Sequence, residues 1–136
     1  MTSIKDEIVP ILRRLINDYE EPNMYQDSAL VEYITDAVAN LKLNWNHNYQ
    51  VIEDNGELKI QSTIEDEDVE EGHKYLFALM AKLQLLDSTP NTSFRSGSLS
   101  VTRKNDTQKR LQNEINKAIR KIKMNQSVSF LITEFD

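Results

Sequence analysis

The sequence predicts a mainly α fold: an antiparallel four-helix bundle with one β-hairpin, a long loop and a strand-like C-terminal tail. Three observations carry that expectation. Apolar residues recur at helical spacing in four separate stretches. An Asn55-Gly56 pair sits between two short β-prone runs. The stretch Glu65–Leu86 opens with six carboxylates in seven residues and then becomes the most apolar run of the chain. Acids at a helix start offset the positive end of its dipole, so this order suits one long central helix.

Taken in order, Ser3 can cap a first helix over about 3–19, with Asp6 three residues on and Ile4, Ile8, Ile11, Leu12, Leu15 and Tyr19 as its stripe. Pro10 lacks an N–H, so either the helix kinks there or its main part begins there. Glu20-Glu21-Pro22-Asn23 ends it, and Asp27 is the expected cap of a second helix over about 28–44. That helix carries Leu30, Ile34, Ala37, Val38 and Leu41 inward, with Trp45 as core or a lid on its edge. His47, among asparagines, is expected in an exposed turn. The hairpin spans about 49–61, since both turn residues of an Asn-Gly hairpin must take positive φ.

In the central helix Val69, Leu76, Leu79, Met80, Leu83 and Leu86 share one stripe, while Phe77, Ala78, Ala81 and Leu85 lie on other sides. A helix apolar nearly all round is covered on several sides, by this chain or by another copy of it. Leu79→Ala or Leu83→Ala is expected to cost about 2–5 kcal/mol. A long loop follows over about 87–106, rich in Ser, Thr and Asn, within which Leu99-Ser100-Val101 could form a short strand. Asp106 or Thr107 then caps a last helix with Leu111, Ile115, Ala118, Ile119 and Ile122 inward. Residues 127–135 alternate like a strand that wants a sheet edge. The chain thus divides into a helical domain, 1–124, and a docking tail, 125–136.

Composition narrows the function classes. With 39% apolar and 28% charged residues the chain is outside the disordered range, and with no cysteine it has no disulfide or thiolate chemistry. Lys5, Asp6 and Glu7 leave no clean signal-peptide core, and no apolar run approaches a membrane span, so a soluble, unprocessed protein is expected. The net charge of -6 hides a division. Residues 103–136 hold eight Lys/Arg against four Asp/Glu, net +4, and residues 1–102 hold eight against eighteen, net -10. Opposite signs at the two ends suit contact between copies or with a charged partner, although ordinary solvated helix faces would read the same way.

Catalytic signatures are lacking. The acidic run lies along a helix start, where no loop wraps an ion, and Asn55-Gly56 sits in no EF-hand pattern, whose first and twelfth positions would be Val51 and Ser62. Arg95-Ser96-Gly97-Ser98-Leu99 is neither a P-loop nor a nucleophile elbow. His47 and His73 are too few for zinc, and His73 can pair with the acids beside it. No enzyme, metal or cofactor is therefore expected. The last helix places Lys109, Arg110, Lys117, Arg120, Lys121 and Lys123 away from its apolar stripe. Such a face can meet phosphates, yet no aromatic residue interleaves with the cations for base stacking. A small nucleic-acid-binding module is the alternative reading.

The segment Ile8-Val9-Pro10-Ile11-Leu12-Arg13-Arg14-Leu15-Ile16-Asn17-Asp18-Tyr19-Glu20-Glu21-Pro22 resembles the opening of head–tail connector (adaptor, or head-completion) proteins of tailed bacteriophages. The succession that follows is similar too: Tyr25-Gln26-Asp27-Ser28-Ala29-Leu30 opening a helix, a hairpin, an acid-led apolar helix, a Ser/Gly-rich linker and a last helix. The resemblance reaches about Met124 and leaves the last twelve residues unmatched. It implies a structural virion protein at the capsid vertex or neck, assembled in the host cytoplasm. It further implies a ring of about twelve copies beneath the portal protein, extending the DNA channel without sequence-specific DNA binding and docking the tail or a stopper. On that reading the expected partner contacts are Phe94, Arg95, Leu99, Val101 and Arg103 in the loop, Lys109, Arg110, Lys117, Arg120 and Lys121 on the last helix, and Val128, Phe130, Ile132 and Phe135 in the tail.

Overall fold

The computed structural model describes residues 1–20, 23–63, 68–88 and 106–124, and over them the chain is mostly helical with a small three-stranded antiparallel sheet. The expected loop strand at Leu99–Val101 and the tail 125–136 lie outside the described residues.

The chain opens as a strand, not a helix. β1, Thr2–Ser3, pairs antiparallel with the second hairpin strand through Thr2↔Ile60 and Ser3↔Lys59. Ser3 does cap the next turn, accepting from the Asp6 N–H at 3.2 Å. That turn, Ile4–Ile8, is π-helical, closed by the Val9 N–H on the Ile4 carbonyl. The wider turn brings Glu7, rather than Asp6, back onto the Ser3 N–H, at 2.9 Å. α1 then runs Val9–Leu15, with Pro10 in its first turn. Proline's fixed φ suits that first-turn position.

α1 stops at Leu15, short of the expected Tyr19, because Asn17 takes the left-handed conformation (φ 57°). The Asp18 N–H returns to the Arg13 carbonyl at 2.8 Å and the Asn17 N–H to Arg14 at 3.3 Å, the two bonds of a Schellman cap with Asn in the usual glycine place. Tyr19 is consequently exposed. α2, Asp27–Leu41, buries the expected Leu30, Ile34, Ala37, Val38 and Leu41. Its cap position is Gln26, and Asp27 is already helical, its carboxylate held at 2.6 Å by Arg13.

β2, Tyr49–Asp54, and β3, Glu57–Ser62, form the expected hairpin, in register from Tyr49↔Ser62 to Asp54↔Glu57. Asn55 (φ 54°) and Gly56 (φ 76°) both take positive φ, as a two-residue turn of this hand requires. β3 is the middle strand, with β1 and β2 on either side. Its Ile60 is fully buried against the helices.

α3, Glu71–Ser88, starts later than the expected Glu65. Asp68, Val69 and Glu70 have no regular structure. The Val69 N–H is bound instead to the Thr2 hydroxyl at 2.9 Å, and the Met1 ammonium meets Asp68 at 3.0 Å. Asp68 and Val69 are thus drawn into a tertiary seam with the first residues of the chain. Over α3 the residues Leu76, Phe77, Ala78, Leu79, Ala81, Leu83 and Leu85 are all buried. α1 and α2 pack on it, and so does the Ile4–Ile8 turn. A last helix, α4, covers 106–124. It buries Leu111, Ile115 and Ile119 in the same core. Gln108 donates to Asp87, while Lys121 and Gly72 border one groove, so α4 runs antiparallel to α3.

Among the described residues most apolar side chains of α3 are covered by this chain itself, while Tyr75 is exposed and Met80 and Leu86 are half-buried.

Candidate functional surface

α4 is buried along one stripe only. Leu111, Ile115 and Ile119 sit at spacing four and face inward, which leaves the positions between them in solvent. Those positions carry Lys109, Arg110, Lys117, Arg120 and Lys121, all exposed as the sequence predicts. Among the described residues none of the five has an ion-pair partner. Some cations elsewhere are satisfied within the body, although Lys5, Arg14, Lys42 and Lys82 also make no ion pair among the described residues. Lys74 is buried and reaches Glu71 at 2.8 Å and Glu7 at 3.2 Å, with Glu71 chiefly holding its ammonium above the ordinary lysine range. Lys59 meets Asp54 at 2.8 Å.

Beside the cations runs a groove of about 370 Å³ between α3 and α4. Leu76 and Leu79 form its floor with Ala118, and Tyr75, Glu114, Lys117 and Lys121 form its rim. A second groove of about 440 Å³ lies between α2 and α3, where Asp36 and Asp87 give it the opposite charge. Of the remaining candidate contacts, Phe94, Arg95, Leu99, Val101, Arg103, Val128, Phe130, Ile132 and Phe135 lie outside the described residues. The structure brings together the α4 cations alone.

The described residues contain no group of three or more His, Asp or Glu side chains that could hold a metal, and no helix long and apolar enough to cross a membrane. No family model, curated protein or solved structure matches the chain.

Sequence reasoning missed an aromatic and histidine cluster where three elements meet. His47 is not an exposed turn residue; it is 5% exposed. α2 ends so that the Lys42 N–H bonds Ala39, leaving the Val38 carbonyl without its helical donor. His47 Nε2 supplies that donor at 2.8 Å, and its Nδ1 accepts the Tyr49 N–H at 3.1 Å. Trp45, 2% exposed, has the His73 ring 4.7 Å away, the His47 ring at 4.9 Å and Phe77 stacked at 5.9 Å. The Tyr49 hydroxyl bonds His73 Nδ1 at 2.8 Å. His73 Nε2 is 3.5 Å from Glu70, the acidic neighbour the sequence suggests. Burial depresses the pKa of both histidines; for His47 the bond to Val38 opposes the shift, and for His73 the Glu70 charge does.

A second cluster fixes the turn between α1 and α2. Arg13 bonds the Asp18 carboxylate at 2.9 Å, Asp27 at 2.6 Å and the Tyr25 carbonyl at 3.0 Å. Asp18 in turn accepts the Met24 N–H at 2.6 Å and the Tyr25 N–H at 3.0 Å. Every group here is spent on holding the chain, so the cluster is architecture and not a site.

Proposed function

We propose that this chain is a structural subunit of a phage head–tail connector, an adaptor that assembles as a ring beneath the portal and docks the tail or a stopper. The observation that carries the reading is the outward row of α4 cations that form no ion pair among the described residues, set on the element succession that the connector resemblance implies: two helices, a hairpin, an apolar helix and a last helix. On this reading the four helices act as an antiparallel bundle. Since α3 is mostly covered from within, contacts between copies and with portal or tail fall to α4 and to the segments around Phe94–Arg103 and Val128–Phe135.

The test is co-expression with a portal protein from the same genome, followed by imaging of the purified particles. A ring of this chain on the portal supports the proposal, and a chain that stays monomeric and unbound sinks it. Deleting residues 126–136 is expected to leave the helices folded and to block head–tail joining; normal infectious particles from that deletion would remove the tail from the assignment.

The same α4 cations favour a second reading, a nucleic-acid-binding module. It predicts binding whose affinity falls steeply with salt, by roughly one unit of log-log slope per neutralised phosphate. Against it stand Glu114 on the same groove and the net charge of -6.

A further inference from the structure

We propose that the His47 junction is an acid-sensitive latch: protonating His47 unfastens the start of the hairpin from the end of α2. The partners of the ring dictate this. A carbonyl can only accept and a backbone N–H can only donate. The Val38 carbonyl at 2.8 Å therefore requires a proton on Nε2, and the Tyr49 N–H at 3.1 Å requires a bare Nδ1. Both demands are met by one neutral tautomer. The imidazolium has no acceptor left, so its new N–H would point at the Tyr49 N–H, and one of the two bonds must open.

The surroundings give the charged form little relief. Lys42, from the turn after α2, and His73, from α3, both oppose a positive His47. Among the described residues Glu70 sits at 3.5 Å from His73 and serves that ring instead. Protonated His73 keeps its contacts, because the Tyr49 oxygen can accept from Nδ1 and Glu70 can receive Nε2. His47 is thus the latch and His73 a bystander that adds repulsion once charged. Burial lowers the His47 pKa below the ordinary 6.5. The neutral form's contribution is complete above 6.5 and is lost as the pH falls from there through the lowered value. The latch stands independently of the connector proposal.

The chain has one tryptophan and two histidines, so the readouts are unambiguous. The full-length protein is titrated from pH 7.5 to 5 while the Cε1–H signals of both histidines, Trp45 emission and Tyr49 amide exchange are followed. The expected result is a His47 midpoint below 6.5. Tyr49 opening should then grow about tenfold per pH unit through that window, with Trp45 emission changing in step. His47→Gln, which can still donate to Val38 but cannot titrate, should abolish the acid response, and His73→Gln should retain it. If His47→Gln does not fold, the wild-type titration decides alone. The latch is overturned by a His47 midpoint at or above 6.5, by Tyr49 protection unchanged at pH 5, or by an acid response that survives His47→Gln.

Discussion

α3 and α4 lie side by side, yet they treat their surroundings differently. α3 is buried on several faces, and its one buried cation, Lys74, is matched by Glu71 and by Glu7 from across the molecule. α4 is buried on one stripe, and its six outward cations form no ion pair among the described residues. α3 spends its apolar residues inside this chain, whereas α4 turns a row of cations to solvent.

The largest expected effect breaks the α3 side of that contrast. Phe77 is fully buried and touches the aromatic cluster, so Phe77→Ala should cost about 3–5 kcal/mol in a urea titration. A loss below about 1 kcal/mol, in the range of a surface site, would show that α3 is not the keystone. Next comes the clasp between α1 and α2. Arg13→Ala removes charge-assisted hydrogen bonds and should cost roughly 2 kcal/mol. The clasp also has an acid signature. The Met24 N–H most strongly holds the Asp18 carboxyl below its ordinary 3.8, burial opposes it, and the Tyr25 N–H and Arg13 act with Met24. Its contribution is complete above pH 3.8 and disappears as pH falls through the lowered value. Acid unfolding of Arg13→Ala should therefore begin at higher pH than that of the parent chain. The smallest effect on stability sharpens the α4 side. Lys117→Glu with Lys121→Glu should change the unfolding free energy by less than about 0.5 kcal/mol and yet, on the connector proposal, abolish binding to the portal. A large loss of stability with binding intact would reverse the assignment of the two helices.

Local chemistry made much of the fold legible. The α2 stripe, the Asn55-Gly56 hairpin and the apolar side of α4 depend on periodicity and turn chemistry that a short window contains. What escaped was decided at long range. β1 exists because Thr2 meets Ile60, and α3 starts at Glu71 because Thr2 also takes the Val69 N–H. His47 looked like a turn residue among asparagines; its burial follows from a carbonyl that α2 leaves unpaired at its end. One miss had a visible signal: Asn17, polar and directly after an apolar stripe, is a common left-handed helix terminator. The α4 cations were legible because exposure is the default for lysine and arginine. Their lack of ion pairs among the described residues was not, since pairing is a property of the folded surface.

The seam at Thr2 also sets a timetable. Its hydroxyl waits for a backbone donor 67 positions later, and its strand waits for Ile60. On the ribosome, α1 and α2 can coil early, but Thr2 stays unfastened until Val69 has emerged. Such a late, distant closure slows folding relative to a bundle of neighbouring helices. Substituting Thr2 should accordingly hasten unfolding much more than it delays the first collapse.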